Sequence, residues 1–313
     1  MHIALLGNEK DPQIQHVASA ITQSGHQNFI INTSQFGISW NLSYDPDFND
    51  GCIHFNHEVC EINRSMPQRI TFSSTHSAYW HEYIAGEPIT SSNQEDAYEQ
   101  SWIEQEKSSA MLCWFNFNDI KWVNSIDAVR SHQCKPAQLR VAAKLGAKVP
   151  YTFTGNAADV ATQFCNTMEN VVYKPVRGGK TAQFVNKTPE LKPLLTTLLQ
   201  QRPVTFQKYI GGTNIRSYVL GSDVLSVEIP STELDFRNDK NATPVITLVP
   251  KETQRLAVSI CKALGMHWCA IDWRKSAKGK YFFLEANPSP FFMKVEKDTG
   301  LDITGRLVSL LTN

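Results

Sequence analysis

The sequence predicts a mixed α/β protein that folds as two or three domains. Its 313 residues exceed the usual size of one domain and can bury roughly three quarters of the surface that the unfolded chain exposes. At the start, His2–Gly7 predicts a strand, Asp11–Gly25 an amphipathic helix and Asn28–Asn32 a second strand. Strands that alternate with helices favour a parallel sheet with helices on its faces.

The rest of the amino-terminal part is less regular. Residues 37–93 are rich in Ser, Asn, His and aromatic side chains, with strand-like pieces at Cys52–Phe55 and Ile70–Phe72. The spacing of apolar residues then predicts a helix over Glu95–Ala110, which the apolar run Met111–Phe115 follows.

From residue 135 onward, helices and strands continue to alternate, without an internal repeat or a low-complexity tract. The predicted helices are Lys135–Leu145, Ala157–Met168, Pro189–Leu199, Lys251–Leu264 and a closing helix from Asp302. The predicted strands are Tyr151–Thr154, Val171–Val176, Val204–Tyr209, Ile215–Leu220, Val224–Ile229, His267–Trp273 and Tyr281–Ala286.

Composition argues against several classes of partner. The 30 basic and 30 acidic residues cancel, so the chain lacks the broad positive field that attracts nucleic acid or an anionic membrane. The apolar run near the start is too short for a secretory signal or a membrane span, which favours a cytoplasmic protein. The seven cysteines form no C-x-x-C pair, so we expect reduced thiols and neither a zinc site nor a redox dithiol.

A lysine lies inside an apolar strand. The predicted strand Val171–Val176 contains Lys174 and leads to the glycine pair Gly178 and Gly179. A buried ammonium needs a nearby anion, and a glycine turn lets backbone N–H groups approach phosphate oxygens. The pattern therefore indicates a phosphate site. The alternative is a lysine that extends to solvent from an edge strand before an ordinary hairpin.

Oxygen ligands lie on two neighbouring predicted strands. Glu285 and Asn287 are two residues apart on one strand, so both side chains leave the same face, and Asp272 lies on the strand before it. Two carboxylates and one amide oxygen suit Mg²⁺, which completes its coordination with water and nucleotide phosphates. A solvated polar strand face is the alternative.

A third segment links two predicted strands. Lys208, Tyr209 and Ile210 end one strand, and Gly211 and Gly212 precede the next. Such a link offers backbone groups to the edge of an adenine ring and apolar side chains to its faces. An ordinary hairpin with a Gly-Gly bend is the alternative.

Taken in order, these segments resemble the ATP-grasp superfamily over about residues 120–313. The resemblance identifies Lys135 and Lys174 as the two nucleotide-binding lysines, and Gly178 and Gly179 as part of the loop over the phosphates. It also places the segment from Lys208 to Ile210 at the adenine hinge. Asn214 stands where the superfamily usually has an acidic ribose ligand.

The resemblance also implies catalytic and metal-binding residues. Arg237 resembles the arginine that faces the transferred phosphate, and Arg216 is expected to assist it. Asp272, Glu285 and Asn287 match the metal-ligand triad, all of whose positions are retained, which favours an active enzyme. The implied cofactors are ATP and Mg²⁺.

The implied architecture is an ATP-grasp fold in three parts. Residues 1–120 form an N-terminal α/β domain that recognises the substrate. Residues 121–210 form a central α+β subdomain, and residues 211–313 form a C-terminal α+β subdomain with the metal site.

Four segments resemble one group within the superfamily. They are Trp122–Asn124, Val227–Ile229, Leu234–Arg237 and Phe291–Ile303. These segments are similar to motifs of ribosomal peptide maturases of the graspetide or microviridin type, with the ribosomal-protein glutamate ligase as a broader relative. The resemblance implies a ligase that activates a carboxylate as an acyl phosphate for attack by an amine or hydroxyl of a ribosomally made peptide.

Other interpretations stay open at this point. The substrate carboxylate could belong to a small metabolite or an amino acid, or the chain could be a nucleotide-binding module without catalysis. A homodimer follows from family analogy alone. Cysteine–histidine catalysis and a metal site at His54, His57, His76 and His81 lack a recognisable local setting or ligand spacing.

Overall fold

The computed structural model of the protein describes residues 1–59, 66–83, 94–177 and 179–313. Contacts within the chain define two compact units. Unit 1 comprises Met1–Ile126, Ser289–Met293 and Asp302–Asn313, and unit 2 comprises Asp127–Pro288 and Lys294–Leu301.

The described residues form strands and helices that alternate along most of the chain. The strands are β1 (His2–Leu6), β2 (Gln27–Ile31), β3 (Trp40–Asp45), β4 (Asp50–Phe55), β5 (Arg69–Thr71), β6 (Thr75–Trp80), β7 (Lys121–Val123), β8 (Thr152–Gly155), β9 (Val171–Lys174), β10 (Gln183–Phe184), β11 (Val204–Lys208), β12 (Gly212–Leu220), β13 (Asp223–Ile229), β14 (Val245–Ile246), β15 (Trp268–Ser276) and β16 (Tyr281–Asn287). The α-helices are α1 (Pro12–Gln23), α2 (Gln94–Phe115), α3 (Ile126–Ser131), α4 (Lys135–Lys144), α5 (Ala158–Thr167), α6 (Leu191–Gln201), α7 (Lys251–Ala263), α8 (Met293–Thr299) and α9 (Ile303–Thr312).

Unit 1 contains a four-stranded parallel sheet in the order β2-β1-β6-β7. The apolar run of β1 is buried from Ile3 to Leu6, as expected of a parallel strand covered on both faces. Helix α1 begins where the Asp11 carboxylate accepts the N–H groups of Gln13 and Ile14, a capping interaction typical of Asp. The predicted strand–helix–strand start and parallel sheet are confirmed.

Two strands of unit 1 were missed within the irregular region. The prediction found pieces of β4 and β5, but not β3, with which they form a three-stranded antiparallel sheet, and not β6, a central strand of the parallel sheet. Polar residues interrupt the apolar pattern of β6. One of them, Ser77, is fully buried because its hydroxyl donates to the Leu311 carbonyl oxygen at 2.7 Å.

Unit 2 contains two antiparallel sheets. The first has the order β10-β9-β11-β8. Helices α5 and α6 pack against it through the buried side chains of Ala161, Cys165, Leu191, Leu195, Leu199 and Phe206. The predicted strand Val171–Val176 is two residues too long, because Pro175 lacks an N–H group and β9 ends at Lys174.

The second sheet of unit 2 has the order β14-β13-β12-β15-β16. Its long central strands are β12 and β15, and their apolar residues pack with α4 and α7 into a second core that includes Leu139, Ala257, Ile271 and Phe283. The register places Arg216 of β12 opposite Asp272 of β15, and Asp272 opposite Glu285 of β16. One row across this sheet therefore carries three charged side chains.

The predicted three-part boundaries, 1–120, 121–210 and 211–313, stay a prediction. Among the described helices, none combines the length and the apolar character that crossing a bilayer requires.

Candidate active site

The predicted metal ligands lie together on β15 and β16. Asp272 pairs with Glu285 across the two strands, and Ala270 pairs with Asn287, so that Glu285 and Asn287 project from the same face. A bulge follows directly after Asp272. The side chains of Asp272 and Glu285 are largely buried, with 15% and 21% of their surface exposed.

Arg216 forms a bidentate ion pair with Asp272. Its Nε donates to Asp272 Oδ1 at 2.7 Å and its Nη2 donates to Oδ2 at 2.8 Å. The guanidinium also lies over the ring of Phe236, 5.2 Å from the centroid. This fork geometry fixes the orientation of both side chains. It also places the Phe236 segment, which carries Arg237, beside Asp272.

Lys135 pairs with Glu285 at the start of α4. A cation at the first helical residue is unfavourable next to the positive end of the helix dipole, and the carboxylate compensates for it. Burial alone would raise the pKa of Glu285, but Lys135 and Lys174 lower that pKa by more, so it lies below its usual range. Glu285 is therefore ionised at neutral pH.

Lys174 lies at the end of β9 and is anchored by a chain of hydrogen bonds. Its Nζ donates to Gln207 Oε1 at 3.2 Å, and Gln207 Nε2 donates to Thr152 Oγ1 at 2.9 Å. Burial lowers the pKa of Lys174 below its usual value, while the negative charge of Glu285 opposes that shift. The lysine is held on one side by neutral groups and attracted on the other by the metal-ligand cluster.

Arg237 lies in a short 3-10 turn beside this cluster. Its Nε donates to Asp235 Oδ1 at 2.8 Å, and 56% of its side chain is exposed. The hydrogen bond that Arg237 donates to the Asp235 carboxylate raises the pKa of Arg237, and the charges of Glu285 and Asp272 raise it further. Its Nη2 also donates to Asp235 Oδ2, so Asp235 orients the guanidinium through two hydrogen bonds.

The predicted adenine hinge joins β11 to β12. Lys208 N donates to the Tyr151 carbonyl oxygen at 2.8 Å, and Tyr209 N donates to the Asn170 carbonyl oxygen at 2.9 Å. The ring of Tyr209 meets that of Phe184 edge to face, with centroids 5.0 Å apart. These contacts hold the segment as an extended link between the two sheets of unit 2.

The predicted phosphate loop and ribose position are described only in part. Gly178 lies outside the described residues. Gly179 has φ of +87°, a left-handed conformation that glycine adopts without strain. Asn214 donates from Nδ2 to the Ile229 carbonyl oxygen at 3.3 Å and accepts a hydrogen bond from Arg274 at 2.6 Å through Oδ1.

One residue beside the predicted metal ligands was missed by sequence reasoning. Gln138 of α4 is 1% exposed, and its side chain pairs with both backbone groups of Ala286: Nε2 donates to the carbonyl oxygen at 2.9 Å, and Oε1 accepts the N–H at 3.0 Å. His132 contacts the same carbonyl oxygen through Nδ1 at 2.9 Å. Gln138 follows Lys135 by one helical turn, a spacing that predicts the same helix face.

The donor set fits Mg²⁺. Asp272, Glu285 and Asn287 offer carboxylate and amide oxygens as ligands, and the basic neighbours keep the Glu285 carboxylate ionised. The remaining coordination positions suit phosphate and water. Across the described ranges, no three His, Cys, Asp or Glu side chains are grouped so that they could hold a metal ion. The assignment of Asn287 as the third ligand stays a prediction.

A comparison with protein families matches residues 127–311 to the RimK-like ATP-grasp domain. Among curated relatives, a probable alpha-L-glutamate ligase of Marinobacter nauticus is 25% identical over 215 residues, which cover 64% of this chain and 70% of that protein. Probable alpha-L-glutamate ligases of Thioalkalivibrio sulfidiphilus and Stenotrophomonas maltophilia are 33% identical over 111 and 108 residues, which cover 34% and 33% of this chain but span only 36% and 37% of their length.

Solved structures extend the likeness to the whole chain. The macrocyclase MdnC of Microcystis aeruginosa, bound with precursor peptide MdnA, has a TM-score of 0.84 at 20% identity and covers 100% of this chain and 99% of its own. The ATP-grasp ligase PsnB, complexed with minimal precursor, Mg and ADP, has a TM-score of 0.80 at 22% identity, with 99% and 97% covered.

These findings confirm the predicted ATP-grasp fold, the ligase class and the use of ATP and Mg²⁺, whereas the individual site residues stay predictions. The chain belongs to the RimK-like ATP-grasp family, whose members are ATP-dependent ligases.

Proposed function

We propose that this enzyme joins a carboxylate to an amine or hydroxyl of a ribosomally made peptide. The observation that carries the proposal is the charged cluster on the second sheet of unit 2, where basic side chains outnumber the carboxylates around them. A peptide substrate is supported by the likeness to MdnC and PsnB, which were solved with precursor peptides and which the chain matches beyond its ATP-grasp domain.

The reaction that such a cluster supports has two steps. An oxygen of the substrate carboxylate attacks the γ-phosphorus of ATP, and the bond from that phosphorus to the leaving oxygen of ADP breaks. The amine or hydroxyl then attacks the carbonyl carbon of the acyl phosphate, loses its proton and expels inorganic phosphate. Each new bond thus consumes one ATP and removes the elements of one water from the substrates.

We assign the basic residues by their positions. Lys135 and Lys174 hold nucleotide phosphates, and we assign Gly178 and Gly179 to the phosphate-binding loop. Arg216 and Arg237 stabilise the charge that builds up on the transferred phosphoryl group, for which the forked geometry of guanidinium is suited. Their effect comes from being already in place when the charge develops.

Asp272, Glu285 and Asn287 hold Mg²⁺ in this proposal. The ion neutralises phosphate charge, which lowers the repulsion felt by an incoming carboxylate. Lys208, Tyr209 and Ile210 line the adenine position, and Asn214 lies on the ribose side.

The test is mass spectrometry of a candidate precursor peptide incubated with enzyme, ATP and Mg²⁺. We expect the mass to fall by one water for each bond formed within the peptide, with one ADP released. Arg237→Ala should lower this turnover by roughly a hundredfold to a thousandfold, the usual effect of removing one preorganised charge. Arg255→Ala, at an exposed position of α7, is the matched control and should keep full activity.

A second candidate is a ligase that adds glutamate or a similar small molecule. The sequence similarity to the probable alpha-L-glutamate ligase, which covers 64% of the chain, favours it. The same assay separates the two, because a transferred amino acid adds mass to the peptide whereas cyclisation removes it. If ATP is bound but no ADP is released with any carboxylate, the chain is a non-catalytic module and both candidates are wrong.

The remaining parts of the proposal concern the setting of the enzyme. We infer that residues 1–120 recognise the substrate, that residues 121–210 and 211–313 enclose the nucleotide, and that the enzyme works in the cytoplasm as a homodimer. The cysteines within the described ranges are free thiols, as a reducing compartment would keep them.

A further inference from the structure

Arg274 is a buried cation outside the predicted site. It lies on β15, and only 7% of its surface is exposed. All three of its nitrogen atoms donate hydrogen bonds: Nε to the Ile210 carbonyl oxygen at 3.0 Å, Nη1 to Asn214 Oδ1 at 2.6 Å, and Nη2 to Tyr209 Oη at 3.0 Å. These three acceptors are uncharged. The arginine is therefore used as a rigid fork with several donors.

The three acceptors belong to the link between the two sheets of unit 2 and to the strand that follows it. Tyr209 and Ile210 lie between β11 and β12, and Asn214 lies on β12. The guanidinium carbon is also 5.6 Å from the centroid of the Tyr209 ring, a cation–π contact. The same ring meets Phe184 of β10 in the first sheet. Arg274 thus fixes both the backbone and the side chain of the link.

We propose that Arg274 is a positioning residue for the nucleoside half of ATP. It holds Tyr209 and Ile210 in the conformation that presents the link to adenine, and it orients Asn214 on the ribose side. The inference rests on the proposed function in one respect, the assignment of the link from Lys208 to Ile210 as the adenine position. The phosphates lie against other groups, so they should not depend on Arg274.

The geometry also explains why the neutral Asn214 is compatible with this position. Its Oδ1 accepts a hydrogen bond from Arg274, and its Nδ2 donates one to the Ile229 carbonyl oxygen. Both the acceptor and the donor of the amide are therefore engaged. A lysine at position 274 would be a poor substitute for the arginine, because one ammonium cannot reproduce a planar fork directed at three separate acceptors.

The experiment measures the affinity of the full chain for two ligands by calorimetric titration in the presence of Mg²⁺. ADP contains the base, ribose and phosphates, whereas inorganic tripolyphosphate contains phosphates alone. We expect Arg274→Lys to weaken ADP binding about tenfold, close to the contribution of one hydrogen bond to a charged group. Binding of tripolyphosphate should change less than about twofold. Arg255→Lys, on the exposed face of α7, should change neither.

Tyr209→Phe provides a milder variant that keeps the ring and removes a single acceptor. It should weaken ADP binding about threefold and leave tripolyphosphate binding unchanged. If Arg274→Lys does not fold, as circular dichroism would show, Tyr209→Phe decides the matter alone.

The proposal is overturned if the folded Arg274→Lys variant binds ADP like the wild type, or if it loses affinity for ADP and tripolyphosphate equally. It is also overturned if Tyr209→Phe leaves ADP affinity unchanged. Failure of the proposed function looks different, because the wild-type protein would then bind tripolyphosphate no more weakly than ADP.

Discussion

At the scale of single residues, the candidate site combines carboxylates with an excess of basic side chains. Asp272 pairs with Arg216, and Glu285 pairs with Lys135. Lys174 and Arg237 also interact electrostatically with both carboxylates. The basic neighbours keep Glu285 ionised, and the ion pairs orient both carboxylates. The surplus of positive charge suits an anion, so the arrangement fits magnesium and a nucleotide together.

Glu285→Gln tests this matching of charges through the pH dependence of stability. The pKa of Glu285 is lowered from its ordinary value of 4.5 because Lys135 and Lys174 outweigh the effect of burial. The ionised form therefore stabilises the fold above that ordinary value, and this stabilisation is lost as the pH falls through the folded-state pKa. We expect urea unfolding to show the wild type as more stable than Glu285→Gln at about pH 7, with a gap that narrows towards about pH 3.

One outcome would contradict this prediction. A difference in unfolding free energy that stays constant across that range would mean that the charge of Glu285 contributes nothing, and that shape alone distinguishes the two side chains. Glu252→Gln, at an exposed position in the first turn of α7, is the control and should give a small, nearly flat difference.

At the scale of elements, α4 holds the outer strand of the second sheet in place. Strand β16 is an edge strand, and the Gln138 side chain satisfies the outward N–H and carbonyl groups of Ala286, the residue between Glu285 and Asn287. Gln138→Leu leaves the buried N–H without this partner, at roughly 1–3 kcal/mol, whereas the carbonyl oxygen keeps its contact with His132. We expect the unfolding free energy to fall by about 1–3 kcal/mol and the Mg²⁺ concentration for half-maximal activity to rise.

Gln133→Leu is the matched control, because Gln133 is exposed just before α4. Its stability and its Mg²⁺ requirement should both equal those of the wild type. An unchanged Mg²⁺ requirement in Gln138→Leu, despite lower stability, would limit Gln138 to a structural role.

At the scale of the whole molecule, the residues assigned to the nucleotide and the metal belong to unit 2. ADP with Mg²⁺ at a hundredfold excess over its dissociation constant should raise the unfolding free energy by about 2.7 kcal/mol. We expect hydrogen exchange to slow most in β9, β11, β15 and β16, which carry these residues. Chelation of Mg²⁺ should reduce the protection of β15 and β16 more than that of β11, and protection confined to unit 1 would contradict the site.

Much of the fold could be predicted because its signals are local. The helices around α1, α4 and α7 show apolar periodicity, and the order of lysine, glycine and acidic motifs identified the superfamily. Strand β6 was missed because its buried Ser77 is satisfied by a carbonyl oxygen 234 residues away. Gln138 and Arg274 were missed for the same reason: a polar residue among apolar ones looks exposed until its distant partner is known.

Unit 1 is assembled from both ends of the chain. Helix α9 supplies the carbonyl oxygens that accept hydrogen bonds from Ser77 of β6 and Lys121 of β7. A ribosome delivers α9 only after all of unit 2 has been synthesised. The amino-terminal sheet can therefore form these hydrogen bonds only after residues almost 200 positions later have been synthesised. Translation begins with unit 1, but unit 2 is the first of the two units that can complete its folding.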